Sequence, residues 1–379
     1  MSQHNYGQDV AFLRAHAEVV ELSTSDAARV AVVPAYQGRV MTATLAGDEG
    51  ASYGWLNRPF IAEGREGELA FNNYGGADRF WLGPEAGQFA LFFDAGQAFD
   101  LDTWHAPPGF TTGPFAVDDQ GDASVSMSAR FDVNNYSGTT FDCAVTRRVT
   151  ALSGSDLAEL FGPAAGAGLD AVAFESVNTL TNAGASAWTR DGGLVCIWIL
   201  GMMKALPNGK AIIPLVTGDE GELGPKAKMA YFGPIPPDYA GVCEDFVWYK
   251  VDGLRRSKIG IPPGRAKNVF GSYDIANGQL TIVRYSLPAN AAALPYTNSA
   301  WEIQDDPFAG DPINSYNDPG TDAGEPTFFE LESNSPAAEL APGESIAHTH
   351  TTCFFSGEFD ALNALSQAVL GIDLAAVTD

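Results

Sequence analysis

The chain has 379 residues, 45% of them hydrophobic and 11% aromatic, with 41 Gly and 23 Pro, a composition that favours a turn-rich β protein over a helical bundle. Its 47 acidic against 21 basic residues give a formal charge of −26, which repels nucleic-acid phosphates and anionic lipid headgroups and removes both from the expected partners. The four cysteines, Cys143, Cys196, Cys243 and Cys353, are far apart and lack C-x-x-C spacing, so buried thiols are expected instead of a zinc cluster or a disulfide framework.

The opening residues show no basic region followed by an apolar run, and no apolar stretch reaches the roughly 18 residues a membrane span needs. The sequence as it stands reads as cytoplasmic, with a periplasmic or secreted location open if a leader has been removed. "DVAFLRAHAEVVEL" predicts one short helix in a lead-in over residues 1–20, and "ARVAVVPAYQGRVMTATL" predicts two short strands broken at Pro34 and Gly38. From there to about residue 355, runs such as "QFALFF", "TTFDCAVTRRVTAL", "AVAFESVNTLTN", "LVCIWILGMM", "QLTIVRYSL" and "SIAHTHTTCFF" alternate with Gly, Pro, Asn and Asp turns. That spacing predicts an all-β sandwich or barrel instead of βαβ units. In "EFDALNALSQAVLGIDL", Phe359, Leu362, Leu365, Val369 and Leu370 recur at helical spacing, predicting an apolar-faced helix within residues 357–379 that packs on a sheet edge. No internal repeat or linker divides residues 1–379, so a single domain is expected.

Four segments carry more polar and aromatic side chains than a plain sandwich needs. In "NNYGGADRFWLGPEAGQF", Gly75 and Gly76 permit a tight turn, and Asp78, Arg79, Trp81 and Glu85 follow closely. Aromatic rings stack on sugar faces while carboxylates and a guanidinium hydrogen-bond hydroxyls, although an ion pair beside a core tryptophan has the same composition. The loop "NSAWEIQDDPFAGDPINSYNDPG" supplies Trp301, Asn317 and Asp318 as further binding candidates. Its carboxylates suit calcium but lack the EF-hand spacing, so no cofactor is expected and calcium stands as the alternative.

In "FFELESNSP", strand alternation puts Glu330 and Glu332 on one face, and Phe329, Leu331 and Ser333 on the other. Exposed, the pair is an ordinary solvated face; lining a pocket, two adjacent carboxylates take unequal pKa values and can transfer protons. "SIAHTHTT" places His348 and His350 on one strand face, as metal ligands, proton shuttles or a hydrogen-bonded structural pair. His105, in "DTWHAPPGF", is a further aromatic-flanked candidate. There is no G-x-S-x-G elbow, P-loop, dinucleotide fingerprint or H-E-x-x-H, which removes serine-hydrolase, nucleotide and nicotinamide chemistry.

The blocks "PAYQGRVMTATL", "YGGADRFWLGPEAGQFALFF", "NTLTNAG" and "DPINSYNDPG" followed by "FFELESNSPAAELAPGESIAHTHTTCFF" resemble, along essentially the whole chain, an uncharacterised bacterial branch of the galactose mutarotase-like (aldose 1-epimerase) superfamily. The resemblance implies a β-supersandwich of large antiparallel sheets with a carbohydrate ligand in its concave face. It implies a sugar epimerase in which a strand glutamate, Glu332 or its neighbour Glu330, is the base and a histidine protonates the ring oxygen. The family's N-x-x-H-x-G-G stretch reads "FNNYGGADRF" here and its N-x-T-x-H stretch reads "NTLTNAGASAW", both without histidine; Arg79 and Asn182 lie nearby. His348, His350 or His105 fills the acid role only if the fold brings it to the glutamates. The alternatives are a non-catalytic carbohydrate-binding protein and an accessory protein of polysaccharide degradation, with the oligomeric state open.

Overall fold

The computed structural model describes residues 4–64, 74–166 and 168–378. Three antiparallel sheets account for its strands. A small one carries β1 (Val20–Ser23), β2 (Arg29–Val33) and β3 (Arg39–Thr44) in sequence order. The others draw on β4 (Arg79–Gly83), β5 (Ala116–Gln120), β6 (Ser124–Asn134), β7 (Thr140–Leu152), β8 (Asp170–Asn182), β9 (Cys196–Lys204), β10 (Lys210–Pro214), β11 (Ala240–Val242) and β12 (Phe246–Lys250). The chain continues with β13 (Ser257–Ile261), β14 (Val269–Asp274), β15 (Gln279–Tyr285), β16 (Ile313–Asn317), β17 (Phe328–Asn334) and β18 (Ser345–Ser356). Ten strands run β11-β12-β10-β14-β15-β18-β8-β7-β6-β5, and five run β13-β16-β17-β9-β4.

The ten-stranded sheet is apolar on both faces, which explains its layered packing. On β18, Phe354 joins the main core, while Cys353 and Phe355 point the other way into a second core with Leu280 and Ile282 of β15. A C-terminal helix, Phe359–Val369, buries Leu362 and Leu365 in that second core. It thus covers the outer face of interior strands and not the sheet edge expected from the sequence, because its apolar stripe matches the face where β15 and β18 present Leu and Phe. The N-terminal helix, Tyr6–Arg14, starts at a capping box between Asn5 and Gln8, and "VELS" downstream is already strand β1. A further helix, Gly154–Phe161, is capped by Ser153 and Asp156.

"QFALFF" is not a strand. Its backbone turns, with Ala90 N–H on Gly87 and Leu91 N–H on Pro84, while Ala90, Leu91, Phe92 and Phe93 are buried as a plug of the core. Apolar content reports burial there, and the hydrogen bonds go to turns instead of a ladder. All four cysteines are free thiols, three buried and Cys243 half-buried. Among the described residues no helix is long and apolar enough to cross a membrane.

Candidate functional site

The five-stranded sheet sets out the site by register. Glu332 of β17 sits opposite Leu200 of β9, which sits opposite Arg79 of β4; one row away Glu330 faces Met202 on one side and Tyr316 on the other, and Tyr316 faces Lys258. Directly opposed residues share a sheet face, as do residues two apart, so Arg79, Trp81, Trp198, Lys258, Glu330 and Glu332 all project from one side. The turn leading into β4 requires Gly75 and Gly76, whose φ values are +81° and +117°; a Cβ on Gly75 would lie 2.3 Å from the Trp55 carbonyl oxygen.

Each cation in this cluster is engaged. Arg79 pairs with Glu330 through its Nη2 and lays its guanidinium 4.5 Å from the Trp81 ring centroid. Lys258 Nζ lies 3.1 Å from Glu332 Oε2, the oxygen that also accepts a 2.9 Å bond from Trp198 Nε1. Lys228 Nζ lies 2.8 Å from Asp311, whose other oxygen accepts the Tyr231 hydroxyl. Glu85, 3% exposed, accepts a 3.2 Å bond from Trp104 Nε1. Trp81 packs against both Trp104 and Trp198, so the two indole N–H groups that hold Glu85 and Glu332 flank one central ring.

Burial sets the electrostatics. It pushes the Glu330 carboxyl up to about 8, against the pull of Arg79, with Glu332 adding to the rise. Burial raises Glu85 as well, Lys258 opposing and Glu332 reinforcing. The Lys258 ammonium is penalised by burial, yet Glu332, Glu85 and Glu330 together hold it above the ordinary lysine value. Among the described residues, the acceptor Glu332 Oε1 and the donor Trp81 Nε1 are buried here without a hydrogen-bond partner. A cleft of about 700 Å³ lies outside, lined by Lys228, Tyr231, Asn298, Trp301, Gln304 and Asp306 among others. Tyr231 and Trp301 are shared between cleft and site, since Lys258 stands 5.9 Å from the Tyr231 ring and Trp301 adjoins Glu85.

Of the residues singled out from the sequence, Glu330, Glu332, Arg79, Trp81, Glu85 and Trp301 come together. His348 and His350 do not join them. Ser333 Oγ lies 2.8 Å from His348 Nε2 and 2.8 Å from His350 Nδ1, and Ser333 points to the opposite side of β17 from the glutamates, so both imidazoles are buried between the sheets. Asp78 also faces the intersheet side, pairing with Arg147 at 2.5 Å and with Ser176. His105 lies 3.6 Å from exposed Asp94 in a separate surface groove. Asn182 bonds the carbonyls of Ser186 and Leu340, Asn317 ties Asp252 to the Gly253 turn, and Asp318 accepts from Thr327 and Tyr316, so these three hold backbone and loops. Phe71, Asn72 and Asn73 of "FNNYGG" lie outside the described residues. In the acidic loop Asp306 bonds its own backbone at Phe308, and among the described residues no three His, Cys, Asp or Glu side chains are grouped to hold a metal.

Lys258, Trp198, Trp104 and Tyr231 escaped the sequence reading. The one available signal was Lys258, a lone lysine in "SKIGI", where a cation alternating with isoleucines in a buried strand demands a partner.

Solved structures place this architecture. A galactose mutarotase-like protein from Lactobacillus casei ATCC 334 superimposes with a TM-score of 0.51 at 10% identity, covering 89% of this chain and 100% of the other. The Slr1438 protein from Synechocystis sp. PCC 6803 gives 0.51 at 11%, covering 90% and 96%. The protein therefore has the galactose mutarotase-like fold, a β-sandwich of large antiparallel sheets. Within it, the chain belongs to the family of unknown function DUF6786, which matches residues 4–379. A search of curated proteins gives no match.

Proposed function

We propose that the protein binds a sugar in its ring form over the concave face of the five-stranded sheet and interconverts its anomers, with Glu332 as the base. The observation that carries this reading is the state of the Glu332 carboxylate: Oε2 is fixed by Trp198 and Lys258, while Oε1 is buried without a partner. An unsatisfied buried acceptor costs about 1–3 kcal/mol, a penalty that a ligand hydroxyl relieves. The unpaired Trp81 indole N–H in the same cluster supplies a donor for a second ligand oxygen. Trp301, on the wall of the cleft, offers an apolar face of the kind that packs on a pyranose. The solved relative described as galactose mutarotase-like supports the same assignment by analogy of fold.

Anomer interconversion needs a base at the C1 hydroxyl and an acid at the ring oxygen, each contributing about 10²–10⁴-fold. NMR exchange or polarimetry over a panel of aldoses and uronic acids tests this directly. The expected result is catalysed exchange of at least one sugar, reduced at least ~100-fold in Glu332→Gln with sugar affinity largely kept. Equal rates for wild type and Glu332→Gln across the panel would sink the proposal. A non-catalytic sugar-binding role is the second reading, favoured by the absence of any described histidine from the cluster. Calorimetric binding without turnover selects it.

A further inference from the structure

The site lacks the histidine that the sequence resemblance leads one to look for, and all five histidines of the chain lie elsewhere. His4 lines a groove by Lys204, His16 is exposed beside Phe12, His105 faces Asp94, and His348 and His350 bond Ser333 behind β17. Glu330, whose carboxyl burial also raises, is tied down by the Arg79 guanidinium, and the remaining polar groups are poor proton donors. Arg79 does not release a proton near neutral pH. Lys258 is held protonated by the surrounding carboxylates, and burial beside Asp311 pushes the Tyr231 phenol well above its ordinary value.

Counting charges isolates one remaining group. Arg79 with Glu330, Lys258 with Glu332 and Lys228 with Asp311 form three cation–carboxylate pairs. Glu85 is the fourth carboxyl of the cluster, and its side-chain contacts are indoles, not a cation of its own. Burial raises this carboxyl, with the nearby Lys258 ammonium opposing, and a raised carboxyl is the better proton donor. Its backbone N–H reaches Ser299 Oγ at 3.5 Å, fastening it to the loop that carries Trp301 at the inner wall of the cleft.

We propose that Glu85 is the proton donor of this site, protonating the sugar ring oxygen while Glu332 takes the proton of the anomeric hydroxyl. The inference rests on the anomer-interconverting reading above. As the C1–ring-oxygen bond breaks, its electron pair stays on the ring oxygen, which receives the Glu85 proton. The C1 hydroxyl loses its proton to Glu332 and becomes the aldehyde carbonyl. After rotation about C1–C2, the open chain's hydroxyl attacks the opposite carbonyl face and returns its proton to Glu85, while the new C1 oxygen takes back the proton on Glu332. No oxidant, metal or external base enters the balance. The upward shift that burial gives the Glu85 carboxyl agrees with this role.

The test compares wild type, Glu85→Gln, Glu85→Asp and Glu332→Gln on whichever sugar of the panel the wild type turns over. Exchange rate, binding by calorimetry and the pH profile of kcat/KM are measured for each. Glu85→Gln is expected to lose about 100-fold in rate with sugar affinity within about threefold, and its residual activity lacks the alkaline fall of the wild type. Glu85→Asp restores part of the rate, and Glu332→Gln keeps the alkaline fall. Infrared difference spectra between wild type and Glu85→Gln at pH 7 show the C=O stretch of a protonated carboxyl. A rate within threefold of wild type, parallel loss of binding and rate, an unchanged alkaline limb, or no carboxyl band each overturns the donor role alone. A wild type inert toward every sugar sinks the anomer-interconverting reading, and the donor role falls with it.

Discussion

Lys258 compensates the buried Glu332 carboxylate, and the pair makes sense only as a unit, since Lys258 side-chain exposure is 5% and that of Glu332 is 0%. Replacing Lys258 by Met leaves Glu332 beside Glu330 and Glu85 with no cation at hydrogen-bond distance among the described residues. Removal of one partner from a buried ion pair costs about 3–5 kcal/mol, whereas exchanging both for apolar residues is close to neutral. Urea unfolding is therefore expected to show a loss of that size for Lys258→Met, and the double variant with Glu332→Leu loses less than the two single changes added. Strict additivity would mean that the two charges do not compensate each other. This is also where the sequence stops being informative. Glu330, Glu332, Arg79 and Trp81 lay in stretches that the family pattern brought forward. Lys258 and Trp198 were hidden because an ion partner 74 positions away is fixed by strand register, which no local pattern encodes.

At the scale of the strand, β17 separates two polar systems by alternation alone. Glu330 and Glu332 face the candidate site, while Ser333 faces His348 and His350 across the intersheet core. Period-two alternation was legible in "FFELESNSP", and so was the shared face of the two histidines. Which sheet each face would meet was not, because it depends on β18 pairing with β15 and β8 in the other sheet. The burial of the histidines has a measurable consequence. It lowers His348 to about 3, with the neighbouring His350 adding to the drop, and His350 to about 4, with Asp78 opposing and Arg147 assisting. Both values fall below the ordinary 6.5, so the unfolded chain binds protons first. Their contribution to stability is thus present above pH 6.5 and lost as pH falls toward 4, by about 1.4 kcal/mol per pH unit for each ring. Unfolding free energies measured from pH 7 to 4.5 should fall more steeply for the wild type than for a His348→Gln, His350→Gln double variant. Parallel slopes would show that the rings are accessible to protons in the folded state.

Over the whole molecule, the charge of −26 and the paired site respond to solvent in opposite ways. Many carboxylates, including Asp94, Asp305, Asp306, Glu302 and Glu325, lie on the exposed surface, where like-charge repulsion opposes the compact state. The Arg79–Glu330 and Lys258–Glu332 pairs lie inside, where mobile ions do not reach them. The Debye length falls from about 30 Å at 0.01 M salt to about 8 Å at 0.15 M, so screening acts first on the surface term. Added sodium chloride should accordingly raise the urea midpoint, with most of the gain complete by physiological ionic strength. The cost of Lys258→Met should stay the same across that range, because the charge it uncovers is shielded by protein instead of solvent. If salt lowered the midpoint, favourable surface ion pairs would outweigh the repulsion. If salt erased the penalty of Lys258→Met, the pair would have to be open to water in solution, against the burial of both side chains.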